Sequence, residues 1–72
     1  MYLWISRDKD DGNLAVWTKK PERIGGQFCS PGDGEDVLLA NAQILRAAGK
    51  LLPGRAENLG RCVRARATFE LA

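Results

Sequence analysis

Two short segments at the start of the chain, separated by a polar turn, predict a β-hairpin. Residues 2–7 and residues 14–19 are rich in aromatic and β-branched side chains, which favour strands. The six residues between them are polar, and Gly12 supplies the one position that adopts a positive φ without strain. This hairpin defines two faces of a sheet, against which the rest of the chain has to pack.

The loop length predicts the register of the hairpin. If residues 9–12 form a four-residue loop, Asp8 lies opposite Asn13 at the end of the ladder. Ile5 then lies opposite Val16, and Trp4 lies opposite Trp17 on the other side of the sheet. The hairpin therefore has one aliphatic face and one aromatic face.

The remaining chain predicts one helix and one further long strand, within a single domain of 72 residues (1–72). A weaker, short third strand is predicted over residues 24–29. A helix follows from Asp36 to Ala48, with Asp33 as its N-cap and Gly49 as the residue that ends it. Residues 62–71 alternate strictly between apolar and mostly charged side chains, which is typical of a half-buried strand.

These elements indicate an α+β fold: a small antiparallel sheet, made of the hairpin, the short third strand and the C-terminal strand, packed against one helix. The aliphatic side of the sheet is expected to face the helix. Its predicted members are Leu3, Ile5, Leu14, Val16, Val63, Ala65, Ala67 and Phe69. The reverse arrangement, with the tryptophans under the helix, remains open because tryptophan is also a favoured core residue.

The aromatic face is the candidate interaction surface. Arginines of the C-terminal strand join its rings, and residues 37–72 carry six basic and two acidic side chains. The candidate residues are Tyr2, Trp4, Trp17, Arg61, Arg64 and Arg66. Three interpretations stand: a binding site for a protein partner or a second copy, a surface that stacks and neutralises single-stranded nucleic acid, or rings and arginine stems that only cover the sheet.

The composition argues against catalysis and against bound metal or cofactor. The chain has no histidine and only two cysteines, Cys29 and Cys62, without a CxxC spacing. No serine or cysteine has an evident activating base, and no glycine pattern matches a nucleotide-binding loop. We therefore expect a non-enzymatic protein with no cofactor. No secretory signal or membrane-length apolar run is evident, so a cytoplasmic location away from membranes is expected.

The hairpin resembles that of a loose group of small phage and prophage proteins of unknown function. In those proteins a short apolar strand is followed by Arg-Asp-x-Asp-Gly and by a second strand ending in Lys-Pro. The matching residues here are Arg7, Asp8, Gly12, Leu14, Lys20 and Pro21, with one extra aspartate in the turn. The resemblance covers about the first third of the chain. It implies a cytoplasmic accessory protein of a mobile element and carries no known activity.

Overall fold

The computed structural model describes residues 2–29 and 42–66. Within them the order of elements is strand β1 (Tyr2–Arg7), β2 (Leu14–Trp17), β3 (Glu22–Ile24), β4 (Gln27–Cys29), helix α1 (Ala42–Leu51), a 3₁₀ turn (Ala56–Asn58) and strand β5 (Cys62–Arg66). The strands form a three-stranded sheet in the order β2-β1-β5 and a separate two-stranded sheet, β3-β4. The α+β prediction is confirmed.

The predicted hairpin register is confirmed. β1 and β2 are antiparallel, with Ile5 opposite Val16 and Trp4 opposite Trp17. The loop closes as its length predicted, because the Asp8 amide donates to the Asn13 carbonyl at 3.0 Å. Gly12 has a φ of 73°, the left-handed conformation that the turn requires.

Helix α1 packs against the aliphatic face of the sheet, as predicted, and not against the tryptophans. It contacts β2, and one hydrophobic cluster joins helix and sheet side chains. The buried members are Leu3, Ile5, Val16, Ala48, Leu52 and Ala65, with Leu14, Ile44, Leu51 and Val63 packed around them. The predicted core residues Ala67 and Phe69 lie outside the described residues.

The helix continues past the point where the sequence predicted its end. Gly49 is the eighth residue of α1, and the Leu52 amide still donates to the Ala48 carbonyl at 3.0 Å. A glycine is tolerated here because the helix is already held against the sheet by buried Ala48 and Leu52. The helix ends before Pro53, because proline disfavours helical geometry at the residue that precedes it. The predicted start of the helix, with Asp33 and Asp36, lies outside the described residues.

The predicted short third strand over residues 24–29 is instead most of a tight hairpin: the last residue of β3, a glycine turn and β4. Gly25 and Gly26 join β3 to β4, with Ile24 opposite Gln27. Gly25 has a φ of 62°, which a glycine adopts without strain. The glycine pair is therefore a turn and not a weak point within one strand. The second strand of the first hairpin is also shorter than the predicted 14–19, since β2 ends at Trp17.

The two hairpins are joined through their loops. The amides of Lys9 and Asp10 both donate to the Gly26 carbonyl, at 2.8 and 3.2 Å. The Asp8 carboxylate accepts from the Phe28 amide at 3.0 Å. These bonds hold the β3-β4 hairpin against the turn end of β1, and β4 contacts β1.

Candidate functional site: the aromatic and arginine face of the sheet

The sheet face opposite the helix carries five of the six candidate residues, and strand pairing places them in rows. β5 is antiparallel to β1, with Trp4 opposite Arg64 and Tyr2 opposite Arg66. Since Trp4 also lies opposite Trp17, these three side chains form one row across the sheet. Ser6 and Cys62 belong to the next row toward the turn.

The β2 side of this face is largely buried, together with the row of Ser6. Trp17 is only 5% exposed and Ser6 is completely buried, and the indole N–H of Trp17 donates to the Ser6 hydroxyl at 2.8 Å. Pro21, which follows β2, is also buried, and the positive charge of Lys20 acts on Cys62 of the same face. Trp17 is therefore a core residue of the second face and does not contribute to a binding surface.

The β5 side of the face is open, together with Tyr2 at the start of β1. Tyr2 is 44% exposed, and the guanidinium carbon of Arg64 lies over its ring, 4.4 Å from the ring centroid. Arg64 and Arg66 are exposed, and Trp4, which lies between Arg64 and the buried Trp17 in its row, is half-buried. We call the four residues Tyr2, Trp4, Arg64 and Arg66 the Tyr–Arg surface.

Arg61 lies away from the Tyr–Arg surface, just before β5. Its guanidinium donates to the side-chain oxygen of Asn58 at 3.0 Å, and Asn58 in turn donates to the Pro53 carbonyl at 2.9 Å. Asn58 is 7% exposed, so these two bonds satisfy a buried amide. Arg61 therefore has a structural partner, and the structure brings together only four of the six candidate residues.

Two structural roles were not predicted from the sequence. Arg7, the last residue of β1, links this strand to the end of the helix and to the first turn. Its Nε donates to the Leu52 carbonyl at 3.0 Å, and its Nη1 donates to the Gly12 carbonyl at 2.9 Å. Gly60, with a φ of 79°, forms a bulge opposite Arg7 at the start of β5. An isolated glycine next to a strand pattern signals such a bulge, whereas no local signal marks the role of Arg7.

The two thiols are free, and burial affects one of them. Cys29 and Cys62 are both half-buried. Burial raises the pKa of the Cys62 thiol above its ordinary value, and the positive charge of Lys20 opposes this in part. A thiol with a raised pKa is a weaker nucleophile near neutral pH.

The acidic turn of the first hairpin is used for structure. The Asp11 carboxylate accepts from the Asn13 amide at 2.9 Å and from its side chain at 3.1 Å. In residues 2–29 and 42–66, no group of three or more cysteine, aspartate or glutamate side chains is placed to hold a metal ion. Over the same residues, α1 and the 3₁₀ turn are both too short to span a membrane.

Comparisons with known proteins add no relative. No protein family, no curated protein and no solved structure matches this chain.

Proposed function

We propose that this protein is a small, non-catalytic interaction module that binds another protein chain through the Tyr–Arg surface. The observation that supports this is the exposed Tyr2 ring with the Arg64 guanidinium stacked on it. Tyrosine, tryptophan and arginine are the residue types enriched at binding hot spots. Stacking also holds the two side chains in place before a partner arrives, which lowers the entropy lost on binding.

The same geometry favours a protein partner over single-stranded nucleic acid, the alternative function. Base stacking needs ring faces that are open to solvent. Trp17 is buried, and Arg64 already occupies one face of the Tyr2 ring. The predicted pair of stacking tryptophans is therefore reduced to the half-buried Trp4.

The proposal includes no catalytic step. The chain has no histidine, and the raised pKa of Cys62 leaves that thiol protonated at neutral pH. We also propose that the module acts in the cytoplasm, where free thiols such as Cys29 and Cys62 persist. An origin as a phage or prophage accessory protein is part of the proposal and rests on the hairpin resemblance alone.

The test compares Arg64→Glu with a matched control, Arg55→Glu. Both arginines are exposed, but Arg55 precedes the 3₁₀ turn and belongs to no strand. Tagged wild-type protein and both variants are used to capture partners from nuclease-treated host extract, followed by mass spectrometry. We expect wild type and Arg55→Glu to retain the same partner, and Arg64→Glu to retain at least tenfold less of it.

Two results would overturn the proposal. One is equal capture by Arg64→Glu. The other is tight binding of a mixed-sequence single-stranded oligonucleotide, measured by fluorescence anisotropy, that weakens with salt and is lost in Arg64→Glu. The second result would support the nucleic-acid function instead.

A further inference from the structure

We propose that the partner supplies an extended acidic segment, which adds to the outer edge of β5 as a fourth, antiparallel strand. This inference rests on the proposed function and specifies its binding mode. It follows from three features: the position of β5 in the sheet, the direction of its backbone groups, and the charge of its side chains.

Among the described strands, β5 forms one edge of the three-stranded sheet and pairs only with β1. The opposite edge is β2, and helix α1 packs against that strand. Arg64, in the middle of β5, is exposed. An extended peptide can add to such an edge through main-chain hydrogen bonds.

The bulge at Gly60 determines which residues of β5 direct their backbone groups outward. The Gly60 amide donates to the Arg7 carbonyl at 2.8 Å, and the Arg7 amide donates to the Arg61 carbonyl at 3.0 Å. From Arg7, hydrogen-bonded and non-hydrogen-bonded pairs alternate along the ladder. The pairs Ile5–Val63 and Leu3–Ala65 are therefore hydrogen-bonded, and the Trp4–Arg64 pair is not.

This alternation points the N–H and C=O of Arg64 away from β1, toward an incoming strand. The Asp8 amide donates to the Asn13 carbonyl on the β2 side of β1. Successive residues of a strand direct their backbone groups to opposite sides, so this bond is consistent with Arg7 bonding on the β5 side. The residue of a partner strand directly opposite Arg64 would exchange both main-chain bonds with it. The side chain of that partner residue would lie beside the guanidinium group.

The charge of Arg64 selects what that side chain can be. A carboxylate pairs favourably with the guanidinium of Arg64, which is exposed and lies over the Tyr2 ring. A second copy of β5 would instead place arginines near one another, and like charges across a strand pair are destabilising. The edge is therefore suited to an acidic chain and unsuited to its own copy.

The experiment uses a blocked octapeptide in which four glutamates alternate with four valine or threonine residues, titrated into ¹⁵N-labelled full-length protein. Two isomeric control peptides carry N-methyl groups either on the glutamates or on the intervening residues. Glutamate N–H groups would face β5, whereas those of the intervening residues would face away. The two isomers have the same composition and charge.

We expect the parent peptide and the isomer methylated on valine and threonine to shift the amides of Cys62–Arg66. The same two peptides should slow hydrogen exchange at the Arg64 amide at least tenfold. The isomer methylated on glutamate should bind at least tenfold more weakly, because it lacks the N–H groups that the edge requires.

Equal binding of the two isomers would overturn strand addition. Strand addition would also be overturned if none of the three acidic peptides binds while Arg64→Glu still abolishes capture of the natural partner. In both of these cases the proposed function would stand. If Arg64→Glu leaves capture unchanged, the proposed function fails as well. A concentration-dependent dimer with protected β5 amides would show that the occupant is a second copy, which overturns the acidic partner.

Discussion

The indole N–H of Trp17 donates a hydrogen bond to the hydroxyl of Ser6 at 2.8 Å, and both side chains are buried on the sheet face opposite the helix. Part of the face that the sequence predicted to be a binding surface is therefore a second, smaller core. No buried side-chain nitrogen or oxygen in the described residues lacks a partner. Changing either residue would create such an atom.

We predict that Ser6→Ala and Trp17→Phe each lower the free energy of unfolding by about 1–3 kcal/mol, because each leaves a buried polar group without its partner. Urea denaturation followed by circular dichroism measures both losses. The double variant should lose less than the sum of the singles, since the two residues share one bond. Losses below about 0.5 kcal/mol in both single variants would show that the bond does not stabilise the fold.

We predict that Arg7→Met lowers the free energy of unfolding by about 2–3 kcal/mol, because hydrogen bonds from a charged group contribute more than neutral ones. The variant loses the bonds to the Leu52 and Gly12 carbonyls, which hold the end of α1 against the first hairpin. Arg7→Lys should lose an intermediate amount, because an ammonium group lacks the planar fork that reaches both carbonyls. Arg55→Met is the matched control, and its unfolding midpoint should stay close to that of wild type.

We predict that Gly49→Ala stabilises the protein by about 0.5–1 kcal/mol, because alanine has the higher helix propensity. An added methyl group would meet Leu14 at 3.7 Å and the Arg7 guanidinium at 3.9 Å, which are ordinary contact distances. Gly25→Ala is the control, and it should lower the free energy of unfolding. Nothing lies near its added methyl group, but alanine at a φ of 62° is strained by about 1–2 kcal/mol. Destabilisation by Gly49→Ala would show instead that Gly49 ends the helix in the left-handed conformation.

We predict that alkylation of Cys62 has a higher pH midpoint in the folded protein than in urea, because burial raises the pKa of its thiol. Iodoacetamide rates across pH 7–11 in the Cys29→Ser variant isolate this thiol, with the pH range set around its ordinary pKa of about 8.5. Lys20→Ala should move the folded midpoint still higher, since Lys20 lowers the pKa. Equal midpoints in the folded and unfolded states would contradict the burial of Cys62.

The raised pKa of Cys62 also makes the free energy of unfolding depend on pH. The folded pKa lies above the unfolded one, so the unfolded chain binds fewer protons as the pH rises past the ordinary thiol pKa. The contribution of Cys62 to the free energy of unfolding is therefore fully present below that pH and is lost as the pH rises through the folded pKa.

The first hairpin could be predicted from the sequence because its signals are local. Alternating side chains define the two faces of a strand, and the six residues between the strands limit the turn. Together they predicted the pairing of Ile5 with Val16 and of Trp4 with Trp17. The alternation in β5 likewise placed Ala65 in the core and Arg64 on the exposed side.

The candidate site could be predicted only in part, because accessibility depends on what packs over a face. The sequence placed Tyr2, Trp4 and Arg64 together but gave no sign that Trp17 is buried. The β3-β4 hairpin was missed because strands of three residues carry too little periodicity to outweigh a glycine pair.

Side-chain alternation and turn chemistry alone thus determined which residues share a face and which strands pair in the first hairpin. The tertiary structure decided which parts of each face are buried, where α1 ends, and that Arg7 links the helix to the hairpin. The physical reason is the separation in sequence over which each kind of interaction acts. Alternation and turns act within a few residues, whereas burial and the Arg7 bonds join segments as much as 45 residues apart in the sequence, which only packing brings together.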